Sequence, residues 1–180
     1  MLNIREIESN LMKKEAVLDE LIKKNREIVR MTANSIKEMH AGNVGAAEKL
    51  LQSAEKEIAA LSREAQKHGM DLNHIMQEYA EAKILLAAIG KKDLPSSTDL
   101  GASPEAYLNG LLDATGEFKR EMYECLRKGK RKDAEYYFGL MEKVYDELLP
   151  LKFSNALLPE FRRKQDVARM QIEQARGELL

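Results

Sequence analysis

Residues 4–36 read IREIESNLMKKEAVLDELIKKNREIVRMTANSI, and their periodicity decides the fold class. Ile4, Ile7, Leu11, Leu18, Leu21 and Ile28 recur at steps of three, four and their sum, seven, and Ile22, Val29 and Ile36 widen the stripe. That is the period of an amphipathic helix, not the alternation of a strand. The spacing predicts one helix over roughly 3–41, ended by Gly42-Asn43 and Gly45. At ~1.5 Å per residue it would be about 55 Å long, which suggests an elongated bundle or a surface used for assembly.

The rest of the chain repeats this grammar. Helices are expected over about 46–67, stopped by His68-Gly69, and over 72–89, capped by Asp71 and closed by Gly90. Residues 91–102 read as a loop. Ser103-Pro104-Glu105 is a strong helix start, and that helix should run to about Lys128. Two more are expected over 132–149 and 158–179, with Pro159 in the first turn of the last one. Hairpin turns and β-branched runs are nearly absent. The expected fold is all-α: one elongated bundle of about six or seven helices, as a single domain over 1–180.

Composition narrows the function. The 29 bases and 30 acids nearly cancel, which argues against a strongly basic arm but not against nucleic acid, because the location of charge governs binding. No apolar run approaches the ~20 residues of a membrane span. The start of the chain has no signal-peptide core, so a cytoplasmic setting is expected. The single cysteine, Cys125, rules out an intrachain disulfide and reads as structural or incidental.

Two acidic pairs carry potential chemistry. Glu78 and Glu81 are three apart, and Asp113 and Glu117 four apart, so each pair shares a helical face. Such pairs often lie on solvated faces. These, however, adjoin the apolar runs Ile84–Ile89 and Leu111-Leu112, where an unpaired carboxylate is costly. Facing each other, the pairs would offer four oxygen donors suited to Mg²⁺ or Mn²⁺. Gly110 and Gly116 each cost about 1 kcal/mol inside a helix relative to Ala, a sign of close approach by another backbone or a ligand. His74 shares the face of Glu78. A ferritin-like di-iron site would need Glu-x-x-His twice, and the order here is different.

Three basic groups are candidate phosphate contacts: Lys23, Arg26 and Arg30; Arg127, Lys128, Lys130 and Arg131; and Arg162, Arg163 and Lys164. Tyr136, Tyr137 and Phe138 follow the second group and offer stacking faces, though helical spacing puts at least one of them in the core.

The stretch Tyr107-Leu-Asn-Gly-Leu-Leu-Asp113-Ala-Thr-Gly-Glu117-Phe-Lys-Arg resembles the signature helix of the translin family, and in particular its catalytic, Trax-type branch. Glu78-Tyr-Ala-Glu81 resembles the Glu-x-x-Glu segment of that branch. The tail from Leu158 to Arg169 resembles the family's basic C-terminal helix, and a long first helix ending His40-Ala-Gly42 fits the same pattern. The resemblance implies an all-α subunit of a closed, roughly octameric homo-oligomer that binds single-stranded RNA, with single-stranded DNA as a further ligand. It also implies Mg²⁺-dependent endoribonuclease activity, with Glu78, Glu81, Asp113 and Glu117 as catalytic and metal-binding residues. The other reading is a non-catalytic assembly that binds single-stranded RNA or DNA.

Overall fold

The computed structural model describes residues 3–179. Seven helices follow in order: α1 (Ile4–His40), α2 (Val44–His68), α3 (Asn73–Ile89), α4 (Ser97–Leu100), α5 (Pro104–Arg127), α6 (Arg131–Leu148) and α7 (Phe161–Leu179). Among the described residues there is no strand, and no helix is long and apolar enough to cross a membrane.

Most helix limits fall where the sequence puts them, because their caps are local. Gly42 turns the chain from α1 into α2 at φ +83°, and Gly69 closes α2 at φ +64°, conformations that suit a residue without Cβ. The Ser103 hydroxyl accepts from the Ala106 amide at 3.1 Å, with Pro104 in the first turn of α5.

Three limits differ. Asp71 does not sit at the cap position of α3: its carboxylate accepts from the Asn73 amide at 2.8 Å, and the helix begins one residue later. The 91–102 loop contains α4, held by a reciprocal capping box between Ser96 and Asp99. The last helix starts at Phe161, not at 158. Leu158 is disfavoured from helical geometry by the proline after it, and Glu160 turns to φ +63°. Pro159 therefore lies outside the helix, while Leu158 is buried as an anchor.

α5 is the central element, packed on α3, α6 and α7, while α1 pairs with α2 and also touches α3. One core runs through all the long helices. Ile28, Leu51, Ile75, Ile84, Leu85, Phe118, Met122 and Met141 are fully enclosed, each contributing roughly 1.5–3 kcal/mol by burial. Tyr137 joins this core, as helical spacing suggested for one of the three aromatics. Tyr136 is half-buried and donates to the Ala88 carbonyl at 3.1 Å.

The core begins on α1 only at Leu21. Residues 3–20 are exposed throughout, and Ile4, Ile7 and Leu11 are each more than half accessible. The apolar stripe that predicts the helix thus runs well beyond the part the bundle covers.

Candidate nucleic-acid and metal site

The site is built where α3 and α5 cross. Gly110 makes the crossing close: a Cβ there would lie 2.9 Å from the Gln77 carbonyl oxygen and 3.0 Å from the Ala80 Cβ. This is the close backbone approach that a helical glycine signals. One turn further along each helix, Glu81 of α3 and Asp113 of α5 are brought to the same cleft. The cleft is about 430 Å³ in volume and is lined by Gln77, Glu78, Glu81 and Asp113, with Arg163, Lys164 and Gln171 contributed by α7.

Asp113 is the most heavily engaged of the acids. It accepts from Gln77 Nε2 at 2.7 Å and takes the Lys164 ammonium on both oxygens, at 2.6 and 2.5 Å. Among the described residues Glu81 has no such partner, and Glu78 has only His74 at 4.0 Å. Burial, reinforced by Asp113, Glu78 and Glu117, pushes the Glu81 carboxyl up to about 8. Burial also raises Glu78, with Asp113 adding to the shift and His74 opposing it. The cleft therefore concentrates negative charge that the protein compensates with one lysine and by favouring a retained proton.

Glu117 faces elsewhere. It pairs with His40 Nε2, and His40 Nδ1 pairs with Glu121 at 2.5 Å. Burial works against a charged imidazole here, but the two carboxylate hydrogen bonds outweigh it and lift His40 to about 9. The expected set of four thus divides. Glu78, Glu81 and Asp113 share one cleft, while Glu117 sits beside it in a His40-centred cluster, close enough to act electrostatically on Glu81.

Among the described residues no three His, Cys, Asp or Glu side chains are close enough to hold a metal ion as they stand. The chemistry of the donors nevertheless fits a hard divalent cation: they are carboxylate oxygens, crowded and short of positive charge. The fit requires Asp113 to change its partner. The di-iron alternative loses its histidine, because the His74 side chain is two-thirds exposed and 4.0 Å from Glu78.

The basic groups differ in placement. Arg163 and Lys164 line the cleft, and Arg162 is exposed next to them. Lys23, Arg26 and Arg30 run along exposed α1 and form no ion pair among the described residues. Arg127 and Lys128 both engage Glu124, at 2.6 and 2.9 Å, while Arg131 engages Glu135 at 3.2 Å; Lys130 is exposed in the turn between them. A second cleft, about 490 Å³, is lined by His40, Lys119, Arg120, Tyr123 and Arg127 among others.

Gln77, Glu121, Lys119 and Arg120 were not singled out by sequence reasoning, and His40 entered only as part of a terminal pattern. Gln77 lies one turn before Glu81 on α3, so its position on that face was readable. The partnership of His40 with α5 was not.

No family model matches the sequence. An uncharacterized protein of Methanocaldococcus jannaschii is 30% identical over 175 residues, spanning 94% of this chain and 78% of the relative. AfC3PO in complex with duplex RNA is 33% identical, with a TM-score of 0.88 over 99% of this chain and 95% of that one. AfC3PO alone gives a TM-score of 0.86 at the same identity and coverage. Apo-NeC3PO is 25% identical with a TM-score of 0.88, covering 99% and 97% of the two chains. Identity of this degree across nearly the whole of both chains, on the same helical fold and with the signature helix in place as α5, shows that the chain belongs to the translin family of C3PO subunits.

Proposed function

We propose that this protein is a Mg²⁺-dependent endoribonuclease acting on single-stranded or short RNA within a homo-oligomeric shell. The coarser part of this reading, an RNA-binding assembly of the translin type, is supported by the likeness to the AfC3PO–duplex RNA complex. The observation that carries the finer part is the cleft shared by Glu78, Glu81 and Asp113, where part-buried carboxylates crowd one another without enough positive charge.

Glu78, Glu81 and Asp113 would hold the ion, Mg²⁺ with Mn²⁺ as a substitute, and Glu117 would complete the set from the next turn. An ion held there would supply water activation and positive charge for phosphodiester hydrolysis. His40 and Gln77 hold Glu117 and Asp113 in place from outside the set. Arg163, which lines the cleft, would take a phosphate of the bound strand, with Arg162 beside it. The exposed bases of α1 and of the α5–α6 turn extend the track. Single-stranded DNA can use the same phosphate contacts, and a cytoplasmic setting belongs to the same proposal.

Assembly is supported by α1. Its first five turns present Ile4, Ile7, Leu11, Leu18 and Ile22 to solvent as one stripe, an apolar face that packing against another subunit would cover.

The test is cleavage of a labelled single-stranded RNA in Mg²⁺ by the wild type, Asp113→Asn and Glu81→Gln. The expected result is loss of at least ~100-fold in rate in both variants, the scale of removing a principal transition-state stabiliser. Equal rates in all three, with RNA still bound, would leave the binding-only assembly standing.

A further inference from the structure

We propose that Lys164 is an internal counter-cation: its ammonium occupies the divalent ion's place on Asp113 and must leave when the ion binds. The inference rests on the metal reading of these carboxylates and adds a specific role for α7.

Lys164 borders the packed side of α7, one turn from the buried Phe161 and Ala168. Arg162 and Arg163 are exposed, and Arg163 pairs locally with Glu160. Lys164 instead turns inward, with only 16% of its side chain accessible, and reaches across to α5. It places one ammonium on both oxygens of Asp113, the arrangement a chelated cation would adopt. Gln77 takes a further lone pair of Asp113, so little acceptor capacity remains for a third partner.

An ammonium seated on both oxygens competes with a divalent ion for that carboxylate. Both would lie within about 3–4 Å of each other, where like charges in a partly desolvated cleft repel strongly. Lysine suits the role of an exchangeable occupant. Its charge is compact, its four-carbon stem is flexible, and it lacks the planar fork that locks an arginine onto a carboxylate. Lys164 and Arg163 are neighbours in the cleft lining, so the flexible stem can swing to the rim beside Arg163. In that position the displaced ammonium faces the path of a bound phosphate. Occupancy by metal would then convert Lys164 from a plug into a phosphate contact.

Two measurements on the intact assembly test this. The first follows acylation of Lys164 by acetic anhydride, read by peptide mass spectrometry with and without Mg²⁺. Labelling should rise several-fold with Mg²⁺, and in Asp113→Asn it should be high without it. The second is calorimetric titration with Mn²⁺ of wild type, Lys164→Met and Asp113→Asn. Lys164→Met should bind about tenfold tighter, since a competing charge is gone, and Asp113→Asn more weakly. If Mn²⁺ binds in an Asp113-dependent way but Lys164→Met gains nothing and labelling is unchanged, the Lys164 inference is overturned while the metal reading survives. If no variant binds Mn²⁺, both fall. Should Lys164→Met fail to fold, the labelling of wild type decides alone.

Discussion

His40 Nε2, in the last turn of α1, is paired with the Glu117 carboxylate of α5, seventy-seven residues away in the chain. With Glu121 on the other ring nitrogen, this pairing fastens the end of the longest helix to the central one. His40 is lifted to about 9 from an ordinary 6.5. A group whose folded pKa is raised stabilises the fold fully below its unfolded pKa and loses that contribution as pH climbs through the folded value. Melting temperature should therefore fall between about pH 6.5 and pH 9, by on the order of 2 kcal/mol or roughly 4–8 °C. His40→Gln should flatten that part of the profile in differential scanning fluorimetry. An unchanged slope in the variant would remove His40 from the explanation.

Glu81 predicts the same sign over a lower pH window. Its folded pKa is raised to about 8, so between about 4.5 and 8 the native state holds more protons than the unfolded chain. Stability is lost as pH rises through that window. Glu81→Gln should melt several degrees higher than wild type at pH 8 and match it near pH 4.5. Adding Mg²⁺ should raise wild type more than the variant, which closes the gap. A variant less stable than wild type at pH 8 would contradict the crowding of charge in the cleft.

The two glycines of α5 should respond differently to alanine. At Gly110 the added methyl meets the Gln77 carbonyl at 2.9 Å, which is backbone and cannot step aside. Gly110→Ala should cost about 1–3 kcal/mol and weaken any activity by prising α3 from α5. At Gly116 the nearest atom is Gln171 Nε2 at 3.4 Å, the end of a flexible side chain. Gly116→Ala should be neutral or stabilising by up to about 1 kcal/mol through helix propensity. Chemical denaturation of both variants, side by side, checks the contrast.

The α1 stripe predicts a mass. Leu11→Lys with Leu18→Lys puts two charges into a face that is already exposed in the subunit, so the fold should be untouched by circular dichroism. Light scattering should then move from a multi-subunit mass toward the 20.5 kDa chain. A double variant that keeps the wild-type mass would place the assembly contacts elsewhere.

RNA affinity should depend on salt and on Arg163. Each phosphate neutralised adds roughly 0.7 to the slope of log affinity against log salt for single strands. Arg163→Ala should lower that slope by about that amount in fluorescence anisotropy, while Glu160→Gln, which frees Arg163 from its local partner, should strengthen binding at low salt. Salt-independent binding would contradict the phosphate track.

Much of this protein was legible in the sequence because it is local. The three-and-four spacing from Ile4 to Ile36, the glycines at 42 and 69, and the Ser103-Pro104 start fix helices within a few residues of where they lie. The same spacing puts Glu78 with Glu81 and Asp113 with Glu117, and the cost of a helical glycine flags the crossing at Gly110. Local signals failed where a remote contact or an unusual backbone angle decided. Periodicity tells which face a residue occupies, not what stands opposite. Lys164 reads as one base in a basic run, and it reaches Asp113 only because α7 packs back on α5. Glu117 reads as a member of the acidic set, and its pairing with His40 of α1 is invisible in the chain. The stripe on α1 looks uniform in sequence, yet the bundle covers it only from Leu21 onward. Helices arise from contacts within a turn, so the chain alone determined them. The pairing of charges across fifty to eighty residues depends on which helices touch, and only the tertiary structure decided that.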